Sequence, residues 1–269
     1  MSSRYQLTTT MHSNGYEVYG RNMIDSFLKR WPSFVNLVVY TEGFSLDQNQ
    51  ANDERIVERD LLECSPELVA FKNRHANNPR ANGFVNEGQK DPDFKFDAVR
   101  FSHKVMALYH AVNNRLPGAD AVVWVDADTV THAPIPVKLM EKNFPLDTGV
   151  GIYYLGRKEQ YTECGWVVYN CLNPHMKDFW ERFSNQYRKD KLLNQTEWHD
   201  SFIFDRVRET MEREFNMVNS NITPEYVKGH PFIDCFLGDY MDHLKGPKRK
   251  VAGRSRKNES KTSKASYWK

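Results

Sequence analysis

The stretch that most constrains this chain runs Ala121-Val122-Val123-Trp124-Val125-Asp126-Ala127-Asp128-Thr129-Val130. Five apolar residues, rich in Val, give way at once to two aspartates separated by one alanine. A run this short and β-branched reads as a buried central strand, too short to be a free-standing helix. In an extended chain residues i and i+2 point the same way, so Asp126 and Asp128 project to one side at the carboxyl end of the strand. That edge is where open α/β sheets bind ligands. Two carboxylates this close repel unless something positive lies between them. A divalent cation that also takes substrate phosphate oxygens answers the need, so the pair predicts a phosphorylated ligand.

Alone, Asp-x-Asp (DXD) arises by chance as a helix cap or a turn. The buried strand before it and His132-Ala133-Pro134-Ile135-Pro136 after it weigh for a site. The 269 residues can bury a sizeable core, and 40% hydrophobic with 27% charged residues is ordinary for a soluble globular chain. No apolar run approaches the roughly 20 residues of a membrane helix, and Met1-Ser2-Ser3-Arg4-Tyr5 opens no signal-like segment, so a cytoplasmic setting is expected. Cys64, Cys164, Cys171 and Cys235 show no zinc spacing and read as reduced thiols. The net charge of +2 hides an asymmetry: from Lys245 to Lys269 there are ten Lys or Arg and one acid, Glu259. Residues 248–269 are therefore expected to form a flexible basic tail, either solubilising or an arm for nucleic acid or an anionic membrane surface. The rest, 1–247, reads as one domain.

Along the chain, Tyr5 to Thr10 reads as a first strand. Val18, Ile24, Phe27, Leu28 and Trp31 mark a helix closed by Pro32, and Asn36 to Thr41 a second strand. Strand, helix and strand make one βαβ unit with a parallel pair. Ile56 to His75 is expected to be helical with a break at Ser65-Pro66, and 77–92 to be a long loop, a lid or an acceptor-binding insert. A helix through Phe101 and Val112 leads to the Asp-x-Asp strand. Strands follow over 149–155 and 165–170, then helices over 175–189 and 202–215. The alternation predicts an α/β three-layer domain around a mostly parallel mixed sheet.

The Asp-x-Asp strand resembles that of the GT-A glycosyltransferases, nearest to the group that includes glycogenin and the bacterial lipopolysaccharide galactosyltransferases. The resemblance spans Tyr5 to Arg249. It implies a Rossmann-like GT-A fold, a nucleoside-diphosphate sugar as donor, a UDP-sugar above all, and Mn²⁺ or Mg²⁺ on Asp126 and Asp128. Thr8, Thr10 and Tyr16 resemble the loop that holds base and ribose, although a β-favouring Thr run beside a core Tyr explains each singly. Asp97, Arg100 and Lys104 resemble the segment that brings polar and basic groups to the nucleotide; a solvated basic face is the bland alternative. Glu163-Cys164-Gly165 is similar to the strand behind the donor sugar, departing from the family pattern at Glu163-Cys164. Asp200 resembles the carboxylate beside sugar and acceptor, with a helix N-cap as its bland alternative. His243-Leu-Lys-Gly246-Pro-Lys248 is similar to the family's His-x-x-Gly-x-x-Lys, in which His ligates the metal and Lys meets the diphosphate; Lys248 falls one position early and Arg249 is in register. Asp239 and Asp242 compete with His243 as ligands.

The resemblance implies sugar transfer to a hydroxyl acceptor, with Asp200 as base if the anomeric centre inverts and Glu163 beside the sugar. A glycan, a lipid-linked acceptor and a hydroxymethylated DNA base all remain open as acceptors. A nucleotidyltransferase or a non-catalytic nucleic-acid-binding protein are the rival classes. The former normally carries a Gly-rich loop after the first strand, which Thr10-Met-His-Ser-Asn-Gly15 is not.

Overall fold

Side chains alternate across each strand, and here the alternation sorts the apolar residues into two cores. The computed structural model describes residues 3–224, 227 and 229–269. Its strands are β1 (Tyr5–Met11), β2 (Leu37–Thr41), β3 (Ile56–Asp60), β4 (Ala121–Val125), β5 (Thr129–Thr131), β6 (Ile152–Arg157), β7 (Gln160–Asn170), β8 (Asn219–Asn221) and β9 (Met241–His243). The main sheet runs β3-β2-β1-β4-β7-β6-β8, and β5 with β9 forms a separate two-stranded ribbon. Pairs β3/β2, β2/β1, β1/β4 and β6/β8 are parallel, whereas β7 is antiparallel to both β4 and β6. Longer helices are α1 (Arg21–Arg30), α2 (Pro66–His75), α3 (Ala98–Asn113), α4 (Met176–Arg188) and α5 (Asp200–Phe215), with a short α6 (Pro247–Ala252) near the end.

Leu7, Leu37, Val39, Val123 and Val125 face one core together with Ile24 and Phe27 of α1. Val38, Tyr40, Val122 and Trp124 face the other, against Val105 of α3, Phe179 of α4 and Phe202 of α5. Period-two alternation in the strands and helical spacing in α1, α4 and α5 thus give the expected three-layer, mostly parallel mixed sheet. Among the described residues no helix is long and apolar enough to cross a membrane.

Two expectations are corrected. Residues 56–60, expected to be helical, form the parallel edge strand β3, with Leu37 opposite Ile56 and Val38 opposite Val57. The β-branched Ile-Val pair suits that edge, and helix begins only where Asp60 Oδ1 accepts the Leu62 N–H at 2.7 Å. The expected break follows, with Ser65 capping α2 and Pro66 in its first turn.

The second correction is the C-terminal segment, which packs on the body instead of trailing from it. Asp242, fully buried, accepts the Ser255 N–H and Ser255 Oγ, each at 2.7 Å, and the Tyr267 hydroxyl at 2.7 Å. The Tyr267 ring stacks on His132 at 4.0 Å, and Trp268, 2% exposed, donates Nε1 to Gly238 O at 2.7 Å. Charge composition pointed to a solvated arm, but two terminal aromatics and one hungry carboxylate outweigh it. Tyr267→Phe removes one donor from a buried charge and is expected to cost about 1.5–3 kcal/mol, read as a lower urea midpoint at unchanged m-value.

Candidate active site

The carboxyl end of β4 is bent, not extended. The Asp126 N–H donates to Gly165 O at 3.0 Å, and the Thr129 N–H donates back to Asp126 O at 3.0 Å. The two aspartates therefore converge because a tight turn joins β4 to β5, rather than through strand alternation. β9 returns antiparallel to β5 with His243 opposite Thr129. That register delivers His243 Nε2 to 3.4 Å from Asp126 Oδ2 and 3.2 Å from Asp128 Oδ1. The ring is 3% exposed and passes over Gly165, where a Cβ would lie only 2.6 Å from His243 Cε1. The glycine thus makes room for the imidazole.

Cations gather round these acids. Lys104 Nζ on α3 lies 3.2 Å from Asp126 Oδ1 and 2.9 Å from Asp200 Oδ2, and donates to Cys164 O at 2.6 Å. Lys250 Nζ on α6 is 2.8 Å from Asp128 Oδ2. Lys245 pairs with Glu163, whose other neighbours are Arg157 at 3.9 Å and His243 Nδ1 at 3.9 Å. Burial penalises every charge here, but the pairing wins. Against that penalty Lys104, His243 and Trp124 Nε1 hold the Asp126 carboxyl far below its usual range. His243 and Lys250 pull Asp128 down in spite of burial and of Asp126 itself. Glu163 falls to about 2 once His243 and Lys245 overcome its burial. Burial lowers the His243 pKa, but Asp128 and the hydrogen bonds to both aspartates raise it to about 10 overall. Lys104, opposed by burial and favoured by Asp126 and Asp200, stays charged.

One oxygen from each aspartate and one imidazole nitrogen lie within 4.8 Å of one another. Hard oxygens with one nitrogen suit Mn²⁺ or Mg²⁺, and the shared span is that of a single ion's ligand shell. The residues therefore fit a divalent cation. Glu163, His230 and His243 also cluster within that span. The rival ligands do not reach it: Asp242 is engaged as described above, and Asp239 accepts from Ser263 Oγ at 2.6 Å.

These groups line one cleft of about 1140 Å³, which also takes in Thr10, Tyr19, Arg100, Glu163, Gly165 and Asp200. Asp200 is the first residue of α5, and the cap is His199, whose ring accepts the Phe202 N–H. Five expected contacts lie elsewhere. Thr8 is buried in the sheet and accepts from Gln6 Nε2. Tyr16 is buried with its hydroxyl on Gln50 Oε1 at 2.7 Å, while Tyr19, one wide turn on, lines the cleft. Asp97 caps α3 through the Arg100 N–H. Gly246 turns the chain at φ +84°, and Lys248 points out to solvent. Neither Lys248 nor Arg249, which pairs with Glu259 at 2.5 Å, meets the aspartates. Lys250 does, because α6 turns it inward. Two features of the cleft were not expected from the sequence: Lys250, and the half-buried pair of Glu42 Oε2 with His103 Nδ1 at 2.7 Å. A Pro at helix position one after Gly246 was the available signal for the first.

No family model and no curated protein matches this sequence. The structure is similar to that of mouse xyloside xylosyltransferase 1, with a TM-score of 0.50 and 12% identity over 81% of this chain and 85% of that one. GlyE of Streptococcus pneumoniae matches with a TM-score of 0.45 and 12% identity, over 82% of this chain and 45% of its own. For an active-site mutant of LgtC the values are 0.41 and 12%, over 73% and 68%. The sheet order, the helices on both faces and the first of these likenesses define a GT-A glycosyltransferase fold.

Two outcomes are expected. His243 is raised from 6.5 to about 10 in the metal-free protein, so its stabilising contribution is fully present below pH 6.5 and is lost as pH rises through 10. A cation must displace that proton, so apparent Mn²⁺ affinity should climb by up to about tenfold per pH unit over the same window, with proton release in calorimetry. Gly165→Ala should push the imidazole aside and weaken Mn²⁺ binding by roughly 10–100-fold, the loss typical of disturbed ligand support, with the melting temperature as a control for folding.

Proposed function

We propose that this chain is a metal-dependent glycosyltransferase that moves a sugar from a nucleoside-diphosphate sugar, a UDP-sugar above all, to a hydroxyl acceptor. The observation that carries the reading is the convergence of Asp126, Asp128 and His243 in the large cleft of a GT-A fold. Asp126, Asp128 and His243 would hold Mn²⁺ or Mg²⁺, whose chemistry when bound is to neutralise charge on the leaving diphosphate. Lys250, and with it Lys245, takes the diphosphate-facing role expected of Lys248. Thr10, Tyr19 and Arg100 meet the nucleoside.

Lys104 fixes Asp200 against the Asp126 side of the site, as the 2.9 Å and 3.2 Å contacts support. Asp200 receives the acceptor proton in an inverting reaction, and positions sugar or acceptor in a retaining one. Glu163, ionised and paired with Lys245, suits holding sugar hydroxyls better than abstracting a proton. The setting we propose is cytoplasmic, in keeping with four unpaired cysteines, two of them buried.

A thermal-shift screen with UDP, GDP, CDP and ADP, each with and without Mn²⁺, tests the donor class by mass action. The expected result is a metal-dependent rise with UDP. In turnover assays Asp128→Asn should lose on the order of a thousandfold, several kcal/mol of transition-state stabilisation, with folding intact. No shift with any nucleotide, or wild-type turnover in the variant, would refute the reading.

A further inference from the structure

The loop expected to be a lid or insert is a built feature beside Asp200. The Asp93 N–H donates to Gly83 O at 2.8 Å, and Gln89 Nε2 donates to the same oxygen at 2.8 Å and to Asp91 O at 2.6 Å. Gly83 turns at φ +84°, with room for no Cβ: one built there would lie 2.7 Å from Pro92 Cβ. Such self-tied loops hold their shape and present what they carry. This one presents Phe94, 53% exposed, with its ring 5.3 Å from His199. Across His199, at 5.2 Å, stands Tyr161. All three line the cleft, and Asp200 follows His199 in the chain.

Phe94, exposed, and Tyr161, half-buried, turn their rings to the cleft, with the buried His199 ring packed behind them. Such faces stack on flat or ring-shaped ligands, which leaves nucleobases and sugars as occupants. Charge separates the two. Single-strand nucleic-acid grooves combine stacking aromatics with a net positive track for the backbone. Here Glu159, Glu197, Glu209 and the buried Asp205 face Lys95, Arg157 and Arg206, so positive charge is not in excess. The charges also neutralise one another directly, Lys95 with Glu197 at 3.1 Å and Arg206 with Glu209 at 3.8 Å. A rim of paired donors and acceptors complements hydroxyl groups, which both donate and accept, and has no excess of positive charge for a phosphodiester.

We infer that Phe94 and Tyr161, held against the buried ring of His199, form the acceptor subsite and that its occupant is a neutral carbohydrate, stacked so that a hydroxyl reaches Asp200. This rests on the transferase reading above and names its acceptor class.

The test uses the full chain with UDP and Mn²⁺ on an array of neutral gluco-, galacto- and manno-oligosaccharides, with duplex DNA containing 5-hydroxymethylcytosine alongside. The expected result is binding of a neutral oligosaccharide, weakened at least tenfold in Phe94→Ala, while the UDP-dependent melting shift is the same in both proteins. Absence of neutral glycan binding, binding that survives Phe94→Ala, or Phe94-dependent capture of the modified DNA would each overturn the assignment. Failure of the donor reading shows separately, as a missing UDP-dependent shift in the wild type.

Discussion

Carboxylates can be buried at the end of β4 only because cations meet them there. Asp126, Asp128, Glu163 and Asp200 sit among Lys104, His243, Lys245 and Lys250. Removing one partner from such a set leaves an uncompensated buried charge, which costs far more than the intact pairs contribute. The consequence is positional. Lys104 comes from α3, His243 from β9 and Lys250 from α6, so three elements remote in sequence are held in register by one electrostatic requirement. Asp242 repeats the logic one residue away, where serine and tyrosine donors from the C-terminal segment pin the strand that carries His243.

The sheet supplies the place where this can happen. β1 lies between β2 and β4, so the chain's direction of winding reverses beside β1, and the crevice outside the carboxyl ends of those strands opens at that point. β7 then runs antiparallel against β4 and brings Glu163 and Gly165 beside the aspartates. The mixed character of the sheet is thus tied to the site, since a parallel neighbour would present its opposite end there.

Much of this was legible in the sequence where periodicity and burial agree. β1, β2, β4, α4 and α5 follow from alternation and helical spacing; the Asp-x-Asp pair was placed at the right strand end, but a turn and not alternation brings its carboxylates together. Of the residues picked out by resemblance to the GT-A pattern, Asp126, Asp128, Glu163, Asp200, Lys104 and His243 lie together in one cleft. The resemblance could not tell which residue within a stretch turns inward. A wide helical turn over Tyr16–Gly20 buries Tyr16 and leaves Tyr19 at the cleft. The start of α6 at Pro247 turns Lys250 inward and Lys248 outward. Edge strand β3 was hidden because a five-residue segment with alternating charges carries little apolar signal, and the C-terminal segment because its anchors are few and its charges many.

The ribbon of β5 and β9 also bears on how the molecule reaches its final state. It joins Thr129 to His243 across more than a hundred intervening residues, after the whole central sheet has been laid down in sequence. Closing so long a loop carries a large entropic cost before any contact repays it, and pairings of this range form late and slowly. A partly folded chain therefore presents two aspartates without their imidazole, and would hold a cation poorly. The cluster of Asp126, Asp128 and His243 is a product of folding here, not a template for it.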